Sequence, residues 1–316
     1  MIYRRILFLS IVFLVSAANT SHALWVWTPE TGKFINPKMA VKSTPKLQLE
    51  YAMAFYTSGD FDKAMAEFKK LIRNFPRAKE APEAQFYIGQ TLEDLGKPFE
   101  AYKAYQLVID KYPFSERAAE IIEIQYGIGN ALLEGKGRRG KWSQIVMGAD
   151  DRVIDVFRTV IKNAPYGKYA PLAQYKIGLF LKEKGMYQEA RDEFEKTIND
   201  YPNSEWAKAA KFQVAMADTQ RSSEAQREQK VTSIALDEFK EFVTNHPDSE
   251  LTAQAKTQIA NLRSKEAENN FVIAKYYEKQ KNFKSAIVYY KDIVNKYADT
   301  SWGPQALERL KVLGEK

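Results

Sequence analysis

An internal repeat constrains the fold of this 316-residue chain more than any other feature of its sequence. In each repeat a small or aliphatic residue is followed four positions later by an aromatic residue and, in five of six cases, eight positions further on by a proline. The sets are Ala64/Phe68/Pro76, Ala101/Tyr105/Pro113, Val153/Phe157/Pro165, Ala190/Phe194/Pro202, Ala235/Phe239/Pro247 and Ala286/Tyr290/Ala298. Units of this size bury their apolar faces only by stacking on their neighbours, so the pattern predicts a repeat array.

Each unit has the pattern of a helix, a turn and a second helix. Apolar residues spaced by three and four, such as Phe61, Ala64 and Phe68, give the second helix one apolar stripe. Proline lacks an amide donor and therefore ends that helix. A further signature, which runs from glutamine to glycine over five residues, marks the first helix at 85–89, 125–129 and 174–178. Gly59, Gly96 and Gly185 each stand five residues before the alanine of their own unit, where a turn is expected.

These positions resemble those of the tetratricopeptide repeat, and the resemblance extends over residues 46–298. It implies an all-α fold, in which about five helix pairs form a right-handed superhelical solenoid. A C-terminal capping helix is expected near residues 305–313.

The N-terminus has the pattern of a secretory signal. Arg4 and Arg5 precede an apolar run at 6–15, and small residues lead to Ala23. The run is shorter than the ~20 residues that span a bilayer as a helix. We therefore expect a signal peptide at 1–23, an extended linker at 24–43, an N-terminal repeat array at 44–220 and C-terminal repeats with the capping helix at 221–316. Within the linker, Trp25 and Trp27 either cap the first repeat or contact a membrane interface.

A more specific resemblance is to BamD-type outer-membrane assembly factors. It rests on the repeats behind a secretory signal, on Tyr-Pro-Asn-Ser at 201–204, on the fused stretch 251–300 and on the linker at 25–37. The resemblance implies a non-catalytic periplasmic scaffold that binds a barrel-insertase subunit or unfolded barrel segments during outer-membrane protein assembly. The alternative is a repeat scaffold that coordinates enzymes of cell-envelope remodelling.

The chain departs from that family in one respect. Family members carry a lipidated cysteine at the start of the mature chain, whereas this sequence contains no cysteine and has Ala23-Leu24-Trp25 there. We therefore expect a periplasmic protein that is held at the outer membrane through partners.

Composition argues against most catalytic chemistry. The lack of cysteine excludes thiol catalysis, cysteine-ligated zinc and iron–sulfur clusters, and two histidines, one inside the predicted signal, give no histidine-based metal centre or relay. Residues 135–142 match a phosphate-binding loop until Trp142 replaces the Ser or Thr that holds magnesium. We expect no catalytic residues, no metal and no cofactor. The net charge of +7 is modest and does not indicate a nucleic-acid partner.

A basic insertion near 135–150 interrupts the repeats. It contains Lys136, Arg138, Arg139, Lys141 and Trp142. Two interpretations are open, a solvated loop or a surface that contacts anionic lipid headgroups or an acidic partner.

The first helices are expected to line a groove for a partner peptide. Counted from the signature glycine, the residues three before and one after should face that groove: Phe86, Gln90, Tyr126, Asn130, Tyr175 and Leu179, with Leu49, Met53 and Tyr56 in the first unit. Aromatic rings cover peptide side chains and amides bond to a peptide backbone, which favours an extended peptide ligand. The alternative is that these rings pack between helices.

Overall fold

The structure, a computed structural model, describes residues 26–28, 33–35, 40–134, 149–224 and 229–314. The predicted signal peptide at 1–23 and the basic side chains Lys136, Arg138, Arg139 and Lys141, with Trp142, lie outside the described residues.

The described part of the chain begins with a short antiparallel hairpin, whose strands are β1 (Val26–Thr28) and β2 (Lys33–Ile35). Trp27 is paired with Phe34 across the hairpin, and their ring centroids are 5.2 Å apart. All other described elements are helices: α1 (Pro45–Thr57), α2 (Phe61–Asn74), α3 (Ala81–Asp94), α4 (Pro98–Lys111), α5 (Ala118–Leu133), α6 (Ala149–Asn163), α7 (Ala170–Glu183), α8 (Tyr187–Asp200), α9 (Glu205–Glu224), α10 (Gln229–Asn245), α11 (Thr252–Lys279), α12 (Phe283–Lys296) and α13 (Trp302–Gly314). The prediction of an all-α repeat fold that ends in a capping helix is confirmed, and the hairpin is an addition to it.

The helices divide between two compact units. The first unit ends at Leu95 and contains the hairpin and α1 to α3. The second unit begins at Gly96 and contains α4 to α13.

The helix boundaries follow the repeat signature. Every second helix of a pair ends two residues before the proline position, as α8 does at Asp200 before Pro202. The predicted turn glycines Gly59, Gly96 and Gly185 adopt φ angles of +79°, +72° and +75°, the left-handed region that glycine enters without a steric cost. In the last pair Lys281 adopts the same conformation with φ +59°.

The aromatic position contributes a core side chain in every repeat. Its six side chains are fully buried: Phe68, Tyr105, Phe157, Phe194, Phe239 and Tyr290. Gly129 and Gly178 allow their helices to approach the rings of Phe157 and Phe194, and a Cβ atom at Gly178 would lie 2.6 Å from the Phe194 ring. In these two pairs the glycine and the aromatic residue together specify the core.

The 28-residue helix α11 belongs to two successive packing clusters. In its N-terminal half, Ala255 and Leu262 pack with Phe239 and Phe242 of α10. In its C-terminal half, Phe271 packs with α12 and α13. At 1.5 Å per residue, α11 is about 42 Å long, enough to pass from one cluster to the next.

None of the described helices combines the length and the apolar character that a membrane-spanning helix requires.

Candidate functional site

The residues three before the signature glycine lie in packed ring clusters. Tyr126 contacts Phe157 of its own pair at 5.9 Å between ring centroids and stacks on Tyr169, just before the next helix, at 4.7 Å. The next pair repeats the arrangement, since Tyr175 lies 5.5 Å from Phe194 and 5.4 Å from Trp206. Each cluster thus joins a first helix to its own second helix and to the start of the following one.

Two of the residues that were expected to face the groove are buried. Phe86 is 1% exposed and Tyr175 is 8% exposed, so neither ring offers surface to a peptide in this conformation. Tyr126 is partly buried, and burial raises the pKa of its hydroxyl, against which a hydrogen bond with Asn130 acts. The interpretation in which these rings pack between helices fits the structure.

Each cluster contains a third ring that was not predicted from the sequence. Tyr169 and Trp206 follow Pro165 and Pro202 by four residues, and Trp302 follows the proline-equivalent Ala298 by the same distance. An aromatic residue four positions after the proline position therefore indicates a ring that contacts the preceding helix pair.

The residues one after the signature glycine are more accessible. In the second unit Asn130, Leu179 and Met216 occupy this position on α5, α7 and α9, and all three are partly exposed. We refer to these three residues as the inner row. Met216 was missed because Ala215 replaces the glycine of the signature, although it lies 37 residues after Leu179, the same interval that separates Phe194 from Phe157.

The first unit has its own partly exposed set on α1 and α3. It comprises Leu49, Met53, Tyr56 and Gln90. The Tyr56 hydroxyl donates a hydrogen bond of 2.8 Å to Oδ2 of Asp94. Burial and this bond to a carboxylate raise the pKa of Tyr56 to about 12, so the hydroxyl stays protonated at neutral pH.

A polar chain lies near the inner row. Nζ of Lys182 donates to Oε1 of Gln213 at 2.6 Å, and Nε2 of Gln213 donates to the Tyr175 hydroxyl at 3.4 Å. Burial lowers the pKa of the Lys182 ammonium group. Together with Leu179 and Met216, these groups give the first helices of the second unit both apolar surface and hydrogen-bonding side chains, which suits a peptide more than a small charged substrate.

Buried glutamines on the first helices hold the two helices of a pair together. Nε2 of Gln174 donates to the backbone oxygen of Glu193 at 3.3 Å and also to its carboxylate. Gln48 makes the same pair of bonds with Glu67, 19 residues further on, at 3.2 and 2.7 Å. Burial tends to raise the pKa of Glu193, but hydrogen bonds from Lys196 and Gln174 outweigh it, so this pKa lies below its usual range.

A cluster of charged side chains joins α8, α9 and α10. Asp218 is almost fully buried and accepts hydrogen bonds from Nε of Arg191 at 3.0 Å and from Arg221 at 2.5 Å. Arg191 also donates to Glu238 at 3.3 Å. Burial, together with the negative charge of Asp218, raises the pKa of Glu238 to about 7.

Within the described ranges, no group of three or more histidine, aspartate or glutamate side chains is placed to hold a metal ion. The carboxylates of Glu67, Glu193, Asp218 and Glu238 are bound by arginine, lysine or glutamine, an arrangement that stabilises helix packing.

Comparison with protein families gives three matches. A family described as an outer membrane lipoprotein, YfiO, matches residues 213–313. Two families described as tetratricopeptide repeats match residues 49–116 and 172–204. No curated protein sequence matches the chain significantly.

Solved structures of repeat proteins are similar at low identity. The MamA protein is 20% identical over 66% of this chain and 94% of its own, with a TM-score of 0.34. The C-terminal part of a repeat protein from Cytophaga hutchinsonii is 17% identical over 84% of this chain and 88% of its own, with a TM-score of 0.35. A tetratricopeptide repeat protein from Parabacteroides merdae is 16% identical over 85% of this chain and 98% of its own, with a TM-score of 0.32. Similarity at this level carries no argument about function.

The family matches and the repeat signature agree with each other. The chain is a tetratricopeptide-repeat protein that resembles the BamD-type outer-membrane lipoprotein family.

Proposed function

We propose that this chain is a non-catalytic periplasmic scaffold that binds protein partners or unfolded barrel segments during the assembly of outer-membrane proteins. The observation that carries the proposal is the match of residues 213–313 to an outer-membrane lipoprotein family within a chain built from protein-binding repeats. Tetratricopeptide repeats act by presenting helix surfaces to other proteins, so a scaffold role follows from the architecture more directly than a reaction does.

The inner row supplies the partner surface in this proposal. Leu179 and Met216 offer apolar side chains and Asn130 offers an amide for a peptide backbone, to which Gln213 adds a second amide beside the row. In the first unit Leu49, Met53, Tyr56 and Gln90 have the corresponding role. A partner segment bound at such a surface gains affinity from a few central side chains rather than from the whole contact area.

Attachment to the envelope is part of the same proposal. The segment 1–23 directs the chain to the periplasm, and partners hold it at the outer membrane, because the sequence contains no cysteine for a lipid. Lys136, Arg138, Arg139 and Lys141, next to Trp142, add a contact with anionic lipid headgroups or an acidic partner.

A scaffold for cell-envelope remodelling enzymes is the second candidate. The family match is confined to residues 213–313, and the earlier repeats match only general repeat families. Those repeats would then bind a different class of partner from the C-terminal ones.

Site-specific photo-crosslinking in intact source cells separates the two candidates. A photoreactive residue at Leu179 or Met216 should capture a barrel-insertase subunit or a barrel precursor, which mass spectrometry identifies. The control position is Asp192, an exposed residue on α8. Capture of a peptidoglycan synthase from the inner row would favour the second candidate, and equal capture from Asp192 would argue against a binding role for the inner row.

A further inference from the structure

The last helix pair reproduces an earlier pair of the second unit with an offset of 96 residues. The rings of Phe271, Tyr290 and Trp302 correspond to those of Tyr175, Phe194 and Trp206. Phe271 lies 5.4 Å from Tyr290 and 5.1 Å from Trp302, close to the 5.5 and 5.4 Å of the earlier set. The turn residues Gly185 and Lys281 also correspond and share a left-handed conformation. The two pairs can therefore be compared residue by residue.

The comparison reveals a face that is covered in the first pair and open in the last. On α7, Ile177, Phe180 and Leu181 are buried in a core cluster that includes residues of the preceding helix α6. Their counterparts on α11 are Ile273, Tyr276 and Tyr277, all of which are at least partly exposed. The largest change is from Phe180, which is 6% exposed, to Tyr276, which is 59% exposed.

The continuity of α11 explains the open face. The helix α7 starts after α6 and a loop, so α6 covers its outer side. Leu262 is the last residue of α11 in the core cluster that α9 and α10 share with it, and Ala267 is its first residue in the next cluster, with α12 and α13. Among the described residues, no helix takes the position of α6 beside the C-terminal half of α11.

We propose that this open face binds an amphipathic, acidic helix of a partner protein, which occupies the position that α6 holds beside α7. The open face comprises Val272, Ile273, Tyr276 and Tyr277 of α11. Val272 and Tyr276 are separated by one helical turn and form an exposed apolar stripe. A groove of this kind accepts the apolar side of a helix through anchors spaced by three and four residues.

The positive charges around the open face favour an acidic partner. Lys275 and Lys279 lie on α11, one turn from Val272 and Tyr276, and Lys281 and Lys284 follow in the turn and at the start of α12. All four are exposed, and none forms a salt bridge with another described residue, although the Lys275 ammonium lies over the Phe271 ring at 5.5 Å. The intervening acid Glu278 is engaged elsewhere, because it accepts hydrogen bonds from Arg309 of α13 and from Tyr290. Carboxylates on the outer sides of a bound helix would meet these exposed ammonium groups, which strengthens association and selects against basic partners.

The four residues of the open face differ from the inner-row position, which Lys275 occupies on α11 as Leu179 does on α7. Binding of an acidic helix at the open face is independent of a role in outer-membrane assembly. It follows from the comparison of two helix pairs within the second unit and from the charges on one of them.

The test measures binding of a defined probe to the purified protein. The probe is a fluorescein-labelled synthetic helix of about 18 residues, five turns, with leucine on one side, glutamate on the other and alanine between. Fluorescence anisotropy should detect binding, and Tyr276→Glu should weaken it by about tenfold or more, because it places a charge in the apolar stripe and repels the glutamates. Circular dichroism of the variant establishes that it remains folded.

Val288→Glu is the matched control. Val288 is 64% exposed on α12, and its counterpart Asp192 on α8 is exposed as well, so this position remains open in both pairs. The substitution introduces the same charge at an exposed valine outside the open face, and binding of the acidic helix should be unchanged within about twofold.

Several outcomes would overturn the proposal. Absence of binding by the acidic helix, equal binding of a probe with lysine in place of glutamate, or equal binding by the Tyr276→Glu variant would each do so. Sedimentation of the protein as a dimer that Tyr276→Glu dissociates would instead assign the face to a second copy of the chain. Binding to phosphatidylglycerol vesicles that Tyr276→Glu abolishes, without binding of the acidic helix, would assign the face to lipid.

Discussion

Gly129 of α5 lies against the ring of Phe157 of α6, and a Cβ atom at residue 129 would lie 2.7 Å from the ring carbon Cε1. The ring is fully buried, and close packing of a core opposes its displacement. Gly129→Ala is therefore expected to lower the free energy of unfolding by about 1–3 kcal/mol, the usual cost of overpacking a core. Urea denaturation followed by circular dichroism measures the change.

Gly127 provides the control on the same helix. A Cβ atom there would meet no other atom within 4 Å. Gly127→Ala should raise the free energy of unfolding by about 0.5–1 kcal/mol, because alanine favours a helix more than glycine does. Equal effects of the two substitutions would show that the contact with Phe157 does not limit the size of residue 129.

Substitutions at Tyr175 and Leu179 should have different effects on stability and on partner binding. Tyr175→Ala removes a ring that contacts Phe194 and Trp206, so it should lower the free energy of unfolding by about 3–5 kcal/mol. Leu179→Ala, one turn further along α7 and partly exposed, should lower it by about 1 kcal/mol or less, yet weaken partner binding by about 1–2 kcal/mol. Thermal melts measure the change in stability, and a pull-down from source cells measures the change in partner binding.

One result would contradict the prediction for Tyr175 and Leu179. If Leu179→Ala destabilises the protein as much as Tyr175→Ala does and the folded fraction still binds its partner, Leu179 belongs to the core. The inner row would then have no role in binding.

Lys281 occupies a turn position at which three earlier repeats have glycine. Its φ of +59° is unfavourable for a residue with a Cβ atom. Lys281→Gly is expected to raise the free energy of unfolding by about 0.5–1 kcal/mol, and Gly185→Lys to lower it by about 1 kcal/mol. Because a Cβ atom at Gly185 would meet no other atom within 4 Å, the second effect would come from backbone conformation rather than from a clash. Melting temperatures that move in the same direction for both variants would contradict this explanation.

The sequence was sufficient to predict the helix pairs, their ends and their central rings. Each of these features depends on residues close together in the chain, as Pro202 does for the end of α8 and Ala190 with Phe194 for the core of a pair. The left-handed turn at Gly185 could be predicted for the same reason.

The packing of the groove residues could not be predicted from one helix alone. Tyr175 and Leu179 are four residues apart and lie on the same side of α7. Their different exposure depends on Trp206, a ring from the next pair that reaches Tyr175. The hairpin was not predicted, because strands of three residues are too short to establish an alternating pattern.

Glu238 should make the stability of the second unit depend on pH. Its carboxylate shares Arg191 with Asp218 and Glu195, and its Oε2 atom is buried with no hydrogen-bond donor among the described residues. Burial and the charge of Asp218 favour the protonated form, which raises the pKa of Glu238 from 4.5 to about 7.

The direction of the effect follows from proton binding. Between pH 4.5 and about 7 the folded protein retains a proton on Glu238 that the unfolded chain releases, so this group stabilises the fold most at the acidic end. Its contribution should fall by about 1–3 kcal/mol as the pH rises through that range. Glu238→Gln keeps a neutral side chain at every pH, so the difference in free energy of unfolding between variant and wild type should grow in favour of the variant from pH 5 to about pH 8. Glu195→Gln removes a neighbouring negative charge that also raises the pKa of Glu238, so the loss of stability should shift to lower pH in this variant. Urea denaturation across the range measures all three proteins, and parallel curves for wild type and Glu238→Gln would exclude a raised pKa at Glu238.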